Sequence, residues 1–443
     1  MKRVLIILLC LFPIPASAYL EYKIEPSFEH LSFLPNRDDY RINDQETFEA
    51  KFGFVYDNEK NFKVDIQPRF KIDFRDFSRN RYFPDDAYLK YYRPEWEIWG
   101  GLQTMTWGVA ESFNPTDILN RRDFEDNYYD SEKLGEAIGG FKYGWNSAGP
   151  FDSLTLTLLA LPFFQEAPLP EDDSRFALTG SAGGIPYSLF DDQDKMDYPQ
   201  SIGGALEIAA TIKSVDLSLH FYHGPERNPA FQLMIDDNGR LRLQPFYYLI
   251  DMIGFNIEAS VGNFVLRLEA TGKITSVNDP RPHDLPFEDN NAVPSNHIQF
   301  VPGLDYTFTD FLGKGALRFI VEYLGEDDRS NTLRDFRPFK NDFFAGFQYD
   351  FNNTRLTQLK FGVIKDLANQ EAMMKFEFDT KIYRELKFAI EGVFVHRDST
   401  LPNSPLSFFD NNSYLLGRLS YAFGERVEAR KDKKFKQLLQ GHH

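Results

Sequence analysis

The densest chemistry in this sequence lies between Gly100 and Asp123, which read Gly-Gly-Leu-Gln-Thr-Met-Thr-Trp-Gly-Val-Ala-Glu-Ser-Phe-Asn-Pro-Thr-Asp-Ile-Leu-Asn-Arg-Arg-Asp. A strand-like run ends at Trp107-Gly108. Asn114-Pro115 is a turn-initiating pair, and Thr116 or Asp117 is placed to cap a short helical turn. Asp117, Arg121, Arg122, Asp123, Glu125 and Asp126 then crowd both charge signs into a few residues. If this segment folds into a pore, such charges narrow it and sort ions. Asn114, Asp117, Arg121, Arg122 and Asp123 are the constriction candidates on that reading. On the other reading the segment is a surface loop whose Arg and Asp side chains pair with each other. The residues alone leave both open.

Other reactive side chains form weaker patterns. His30, His220, His223, His283, His297 and His396 are scattered. His220 and His223 lie three apart, and same-face neighbours on a strand differ by two, so they point to opposite faces and make a poor zinc pair. Ser218 and Ser295 sit near histidines, but no spacing singles out an activated nucleophile. No glycine loop follows a strand and opens a helix to hold phosphate. Glu171-Asp172-Asp173 and Asp191, Asp192, Asp194 and Asp197 offer oxygen ligands suited to calcium, yet their spacing fits no calcium loop and a solvated acidic loop is expected. No enzyme activity, cofactor or metal is therefore expected.

The elements that must position these residues are strands. Residues 62–74 place Phe62, Val64, Ile66, Pro68, Phe70, Ile72 and Phe74 on one face. Lys63, Asp65, Gln67, Arg69, Lys71 and Asp73 occupy the other. Alternation over so many residues, with charges filling one face, matches a tilted membrane strand. It recurs where Phe264, Leu266 and Leu268 oppose Arg267 and Glu269, and where Leu317, Phe319 and Val321 oppose Arg318 and Glu322. Lys63, Asp65, Arg69, Arg267, Glu269, Arg318 and Glu322 are the expected lumen-facing charges. Composition agrees: 44 Phe and 22 Tyr would overfill a soluble core, but suit the outer wall and aromatic girdles of a barrel.

Connections alternate in length. Eight short turns, such as Arg93–Glu95 and Gly262–Asn263, interleave with nine longer loops, such as 109–135 and 162–200. Seventeen connections predict an all-β, transmembrane antiparallel barrel of 18 strands, with 16 as the alternative, because the first strand near 19–30 and the stretch 225–260 are ambiguous. Both termini then lie on the periplasmic, short-turn side.

Export is written at the N-terminus. Lys2-Arg3, the apolar run Val4–Phe12 and Ala16-Ser17-Ala18 describe a cleaved signal peptide over 1–18. The run is too short to span a bilayer, and Leu9 before Cys10 argues against a lipid anchor. Cleavage removes the one cysteine and two basic residues, so the net charge of −17 becomes −19. That balance excludes nucleic-acid binding, which needs clustered cations. The barrel is expected over 19–424 and a charged periplasmic tail over 425–443.

Gly101-x-Gln103, Trp107-Gly108, Asn114-Pro115-x-Asp117 and Arg121-Arg122 together resemble the signature of the outer-membrane proteins grouped as domain of unknown function 1302. The motif covers a small part of the chain, the rest matches only as generic barrel, and this chain is shorter than typical members. The resemblance implies an outer-membrane barrel found beside lipid- or hydrophobe-exporting pumps of the resistance-nodulation-division type. A lesser resemblance, to alginate-export barrels, sits poorly with the mixed lumen charges. The expected function is a channel or transport barrel of the Gram-negative outer membrane, working with a periplasmic or inner-membrane partner on a lipidic or hydrophobic substrate. The alternatives are a general diffusion porin for small hydrophilic solutes and a lipase-like outer-membrane enzyme. Membrane lipid and lipopolysaccharide are the expected surroundings.

Overall fold

The structure is a computed structural model that describes residues 18–34, 43–125, 131–171, 174–178, 180–182, 185–189, 202–236, 238–276, 296–327, 339–397, 406 and 412–428. The barrel strands, in chain order, begin with β1 (Tyr19–Leu34), β2 (Asp44–Asp57), β3 (Phe62–Asp73), β4 (Arg81–Tyr92), β5 (Trp96–Gln103) and β6 (Glu136–Ala148). They continue with β7 (Phe151–Leu161), β8 (Gly203–Ile212), β9 (Val215–Pro225), β10 (Leu249–Val261), β11 (Phe264–Ser276) and β12 (His297–Phe311). The last are β13 (Gly315–Glu326), β14 (Asn341–Asp350), β15 (Gln358–Asp366), β16 (Ala372–Tyr383), β17 (Leu386–His396) and β18, formed by Ser413–Tyr421 and, past Ala422, Phe423–Glu428. Each pairs antiparallel with the next, and β18 returns to β1 from Leu34↔Ser413 to Tyr19↔Glu428. The ring is closed with 18 strands, as the larger expected count had it.

Closure satisfies every strand edge, which is what lets a sheet cross hydrocarbon. Connections 93–95, 149–150, 213–214, 262–263 and 384–385 are tight turns at one rim, while 104–135, 162–202 and 226–248 are long at the other. Two details differ from the sequence reading. Residues 425–428 belong to the last strand, because their backbones pair with Tyr19–Tyr22, so the barrel runs past 424. The long loops also carry four short strands, Gly180–Ala182, Ile185–Leu189, Ala230–Ile235 and Leu241–Phe246, in a separate small sheet. The signal segment up to Ser17 and the tail after Glu428 lie outside the described residues.

Burial is inverted relative to a soluble protein. On β3, Asp65, Arg69, Lys71 and Asp73 are buried while Phe70, Ile72 and Phe74 are exposed. The charged face points inward and the apolar face meets lipid, as alternation requires. Inward charges survive because they are paired along and across strands. Lys63 meets Asp65 at 2.8 Å and Arg69 meets Asp85 at 2.8 Å. Arg267 bridges Glu258 at 2.8 Å and Asp305 at 2.5 Å. Arg318 also reaches Asp305, and Glu111 of the loop after β5. Lys63, Asp65, Arg69, Arg267, Glu269, Arg318 and Glu322 take their places on these paired and hydrogen-bonded strand faces. A register shift between Gln67 and Pro68 opposite β4 accommodates the proline, which has no N–H for the ladder.

The outward face supports a quantitative test. Phe319 sits mid-strand on β13, exposed and in contact with Phe308 and Phe347. Phe319→Arg puts a cation in lipid and is expected to destabilise the barrel by ~2–4 kcal/mol. Reversible urea unfolding in lipid vesicles measures it; an unchanged midpoint would contradict the outward placement.

Candidate functional site

The segment joining β5 to β6 does not stay at the rim. Residues 104–120 cross the lumen as a strap whose backbone amides are received by two buried wall carboxylates. Glu269 on β11 accepts the N–H of Val109 at 2.9 Å and of Thr116 at 2.8 Å, and the Thr116 hydroxyl at 2.6 Å. Glu322 on β13 accepts the N–H of Glu111 at 2.7 Å and of Ser112 at 2.8 Å, and the Ser112 hydroxyl too. Carboxylates receiving several N–H donors are strong acceptors, so the middle of the strap is clamped to the wall far from its own ends.

Apolar contacts hold the two flanks. Trp107, Ile118 and Leu119 pack into a buried cluster with Trp99, Ile138, Leu159, Ile250 and Met252 from β5, β6, β7 and β10. On the opposite side Phe113 joins Leu31, Phe33, Val301, Leu324, Ile364, Val393 and Tyr414, together with Phe176 from the loop after β7. Phe176 meets the Phe33 ring edge-on at 5.1 Å. The base of the strap is fixed by Asn120, whose amide donates to Gln103 O and Leu134 O at 2.8 and 2.9 Å and accepts Met105 N–H at 2.8 Å. Gly108 makes the sharpest bend, at φ +105°, where a Cβ would lie 2.7 Å from Asn114 Oδ1 and 2.9 Å from Glu269.

Of the expected constriction residues, Asn114 and Asp117 lie in this strap and Arg121, Arg122 and Asp123 directly follow it, and their charges are spent on fixed partners. Asp117 binds Arg122 at 3.1 Å and Lys133 at 2.6 Å, and receives Trp107 N–H at 3.2 Å. Asp123 lies 3.4 Å from Arg81 of β4. Arg121 donates to Glu166 O at 3.0 Å and stands beside buried Glu136. Burial pushes the Arg121 guanidinium and the Lys133 ammonium below their ordinary ranges, opposed by Glu136 and Asp117 respectively. Asn114 closes a turn through its carbonyl, which accepts Asp117 N–H at 3.1 Å. Thus the inward fold and the mutual pairing, posed as alternatives from sequence, coexist. The helical turn expected at Thr116 or Asp117 is absent, because the Thr116 hydroxyl and N–H both go to Glu269 rather than to a local cap. Toward the cavity bounded by β13 to β18 the strap presents Glu111 and Ser112.

Beside the strap lies a cavity of about 640 Å³, lined by Glu111 and Ser112 and by wall residues of β1, β2 and β13 to β18. Its wall carries Glu29, Lys360, Lys375, Glu377, Glu391 and Arg418. Lys375 bridges Glu377 at 2.7 Å, Lys360 meets Glu377 at 3.1 Å, and Arg418 meets Glu29 at 2.5 Å. A second cavity, about 290 Å³, lies behind Trp107 against β7 to β10. Of the histidines, His220 is buried there and His223 points outward, 2.7 Å from Asp251. Among the described residues no group of three or more His, Cys, Asp and Glu is placed to hold a metal. Asp172, Asp173, the 191–197 acidic cluster and His283 lie outside the described residues.

No protein-family model and no curated protein matches this sequence. Solved structures do match in shape. OpdO of Pseudomonas aeruginosa is 10% identical with a TM-score of 0.50, over 94% of this chain and 98% of that one. OpdQ of the same organism is 11% identical with a TM-score of 0.50, over 93% and 99%. Wzi of Escherichia coli, described as a carbohydrate-binding β-barrel of group 1 capsule assembly, is 8% identical with a TM-score of 0.50, over 90% and 84%. At such identities the likeness is one of fold. Together with the inverted burial and the complete ring of strands, it makes this chain an 18-stranded β-barrel of the bacterial outer membrane.

Proposed function

We propose that this barrel is a channel for small hydrophilic solutes, narrowed by the 104–120 strap. The observation that carries the reading is the charged cavity beside the clamped strap. Its paired Lys, Arg and Glu side chains can replace the hydration of a polar solute, and between them the wall carries apolar side chains such as Ile320, Phe344, Ile364 and Leu416. The charge pairs favour a polar solute over the lipidic substrate implied by the family resemblance. Glu111 and Ser112 meet the solute from the strap side, and Lys375, Glu377 and Arg418 from the barrel side. Paired charges of both signs favour a transverse field that sorts dipolar solutes rather than a strong preference for one ion sign.

Reconstitution of the purified barrel into planar bilayers tests this. The expected result is a small ohmic conductance that grows when residues 109–119 are replaced by a short Gly-Ser bridge. Absence of conductance in both proteins, with both folded, would remove the channel reading. Liposome swelling with sugars and with amino acids then separates neutral from dipolar solutes.

A further inference from the structure

The cavity behind Trp107 holds an arrangement that a channel does not need. Ser218 and His220 are two residues apart on β9 and so share its inward face. The Ser218 hydroxyl lies within hydrogen-bond distance of His220 Nε2, at 2.8 Å. Glu207, the direct cross-strand partner of His220 on β8, places Oε1 3.9 Å from His220 Nδ1, and Nδ1 has no other partner. Glu207 is itself held by Thr157 of β7. The direct partner of Ser218 on β10 is Asn256, whose amide lies 3.0 Å from the same Nε2. The Trp107 ring lies tilted 4.5 Å from the imidazole and covers it, while Ser218 stays half-open to the cavity.

We infer that Ser218, His220 and Glu207 form a serine esterase site in the lumen, acting on short-acyl esters of hydrophilic alcohols. Nucleophile, base and orienting acid occur in the order acyl transfer requires. A slight rotation of the imidazole brings Nδ1–H to Glu207 and fixes the tautomer whose Nε2 takes the Ser218 proton. Ser218 Oγ attacks the ester carbonyl and a C–O bond forms. The proton held on Nε2 passes to the departing alkoxide as its C–O bond breaks, leaving the acyl group on Ser218 and the free alcohol. Water, deprotonated by the same Nε2, then attacks the acyl-serine; as the bond from the acyl carbon to Ser218 Oγ breaks, the Nε2 proton returns to Oγ and the free acid leaves. While Nε2 carries the proton it no longer accepts from Asn256. The Asn256 N–H is then free to donate to the carbonyl oxygen as charge develops there. The hydroxyls of Thr106, Ser153, Thr155 and Thr211 line this cavity of about 290 Å³ and suit a short acyl group on a hydrophilic alcohol.

The site is separable from conduction. The full-length barrel in detergent is treated with a fluorophosphonate probe and digested, and p-nitrophenyl acetate turnover is followed in parallel. The probe is expected on Ser218, with labelling and turnover lost in Ser218→Ala and lowered by about two orders of magnitude in His220→Asn. Glu207→Gln is expected to lower turnover less and to shift its pH profile. His223→Asn, on the outer face, is expected to match the wild type, and Ser218→Ala to keep its conductance. The inference is overturned if folded wild-type barrel takes no label, or if label and turnover persist in His220→Asn shown to be folded by heat-modifiable migration.

Discussion

Replacing Glu269 and Glu322 together by alanine is expected to raise single-channel conductance several-fold and make it noisy. The two carboxylates receive the N–H groups of Val109, Glu111, Ser112 and Thr116 together with the hydroxyls of Ser112 and Thr116. Hydrogen bonds to charged groups contribute ~1.5–3 kcal/mol each. Alanine removes them all and leaves buried amides without acceptors. The flanking contacts of Trp107 and Phe113 remain, so the strap stays inside but loses its fixed position. Glutamine at both sites keeps one carbonyl acceptor each and should give an intermediate conductance. Two results together would refute the clamp: alanine channels as quiet and small as wild type, and strap amides as slow to exchange deuterium.

The second large effect is expected at Gly101. Its φ of +143° is one that L side chains rarely adopt. A Cβ there would stand 2.2 Å from Ala87 O and 2.6 Å from Tyr88 Cα of β4. Gly101→Ala therefore combines backbone strain of ~1–3 kcal/mol with overpacking of similar size. The overpacking falls on backbone, which cannot swing away. The folded fraction, read as the heat-modifiable band after refolding, should fall sharply. Folding yield and urea midpoint equal to wild type would contradict this. Gly101 opens the motif behind the family resemblance, as Trp107-Gly108 continues it. In this fold these residues launch the strap and bend it.

Period-2 alternation made the strands, their faces and their number legible, because a lumen lined with charges leaves no doubt about which side is which. Turn residues and loop lengths placed the two rims for the same reason. Glu269 and Glu322 were legible as inward charges, but not as anchors. Their partners are more than a hundred residues away, and nothing in either segment marks the pairing. Thr116 reads as a helix cap because caps are local; its acceptor is not. The small sheet in the loops escaped notice because its strands are three to six residues long and come from separate loops. Ser218 and His220 were different. Their spacing singled out no nucleophile in the sequence, and it is strand β9 that shows both on one face. What the sequence hid was the cross-strand register that sets Glu207 and Asn256 beside them.

The seam between β1 and β18 has a consequence for biogenesis. Tyr19 and Glu428 sit side by side although nearly the whole chain separates them. Closing a flexible loop of ~400 residues costs ~5 kcal/mol in chain entropy on the logarithmic law, and no neighbouring turn shares that cost. The seam therefore zips last, after both terminal strands have formed. Until then two long edges, β1 and β18, stand open with every second N–H and C=O unpaired, the condition in which sheets capture foreign strands. An assembly factor that offers its own edge to β18 would shield the chain at that stage and be displaced by β1 as the ring closes.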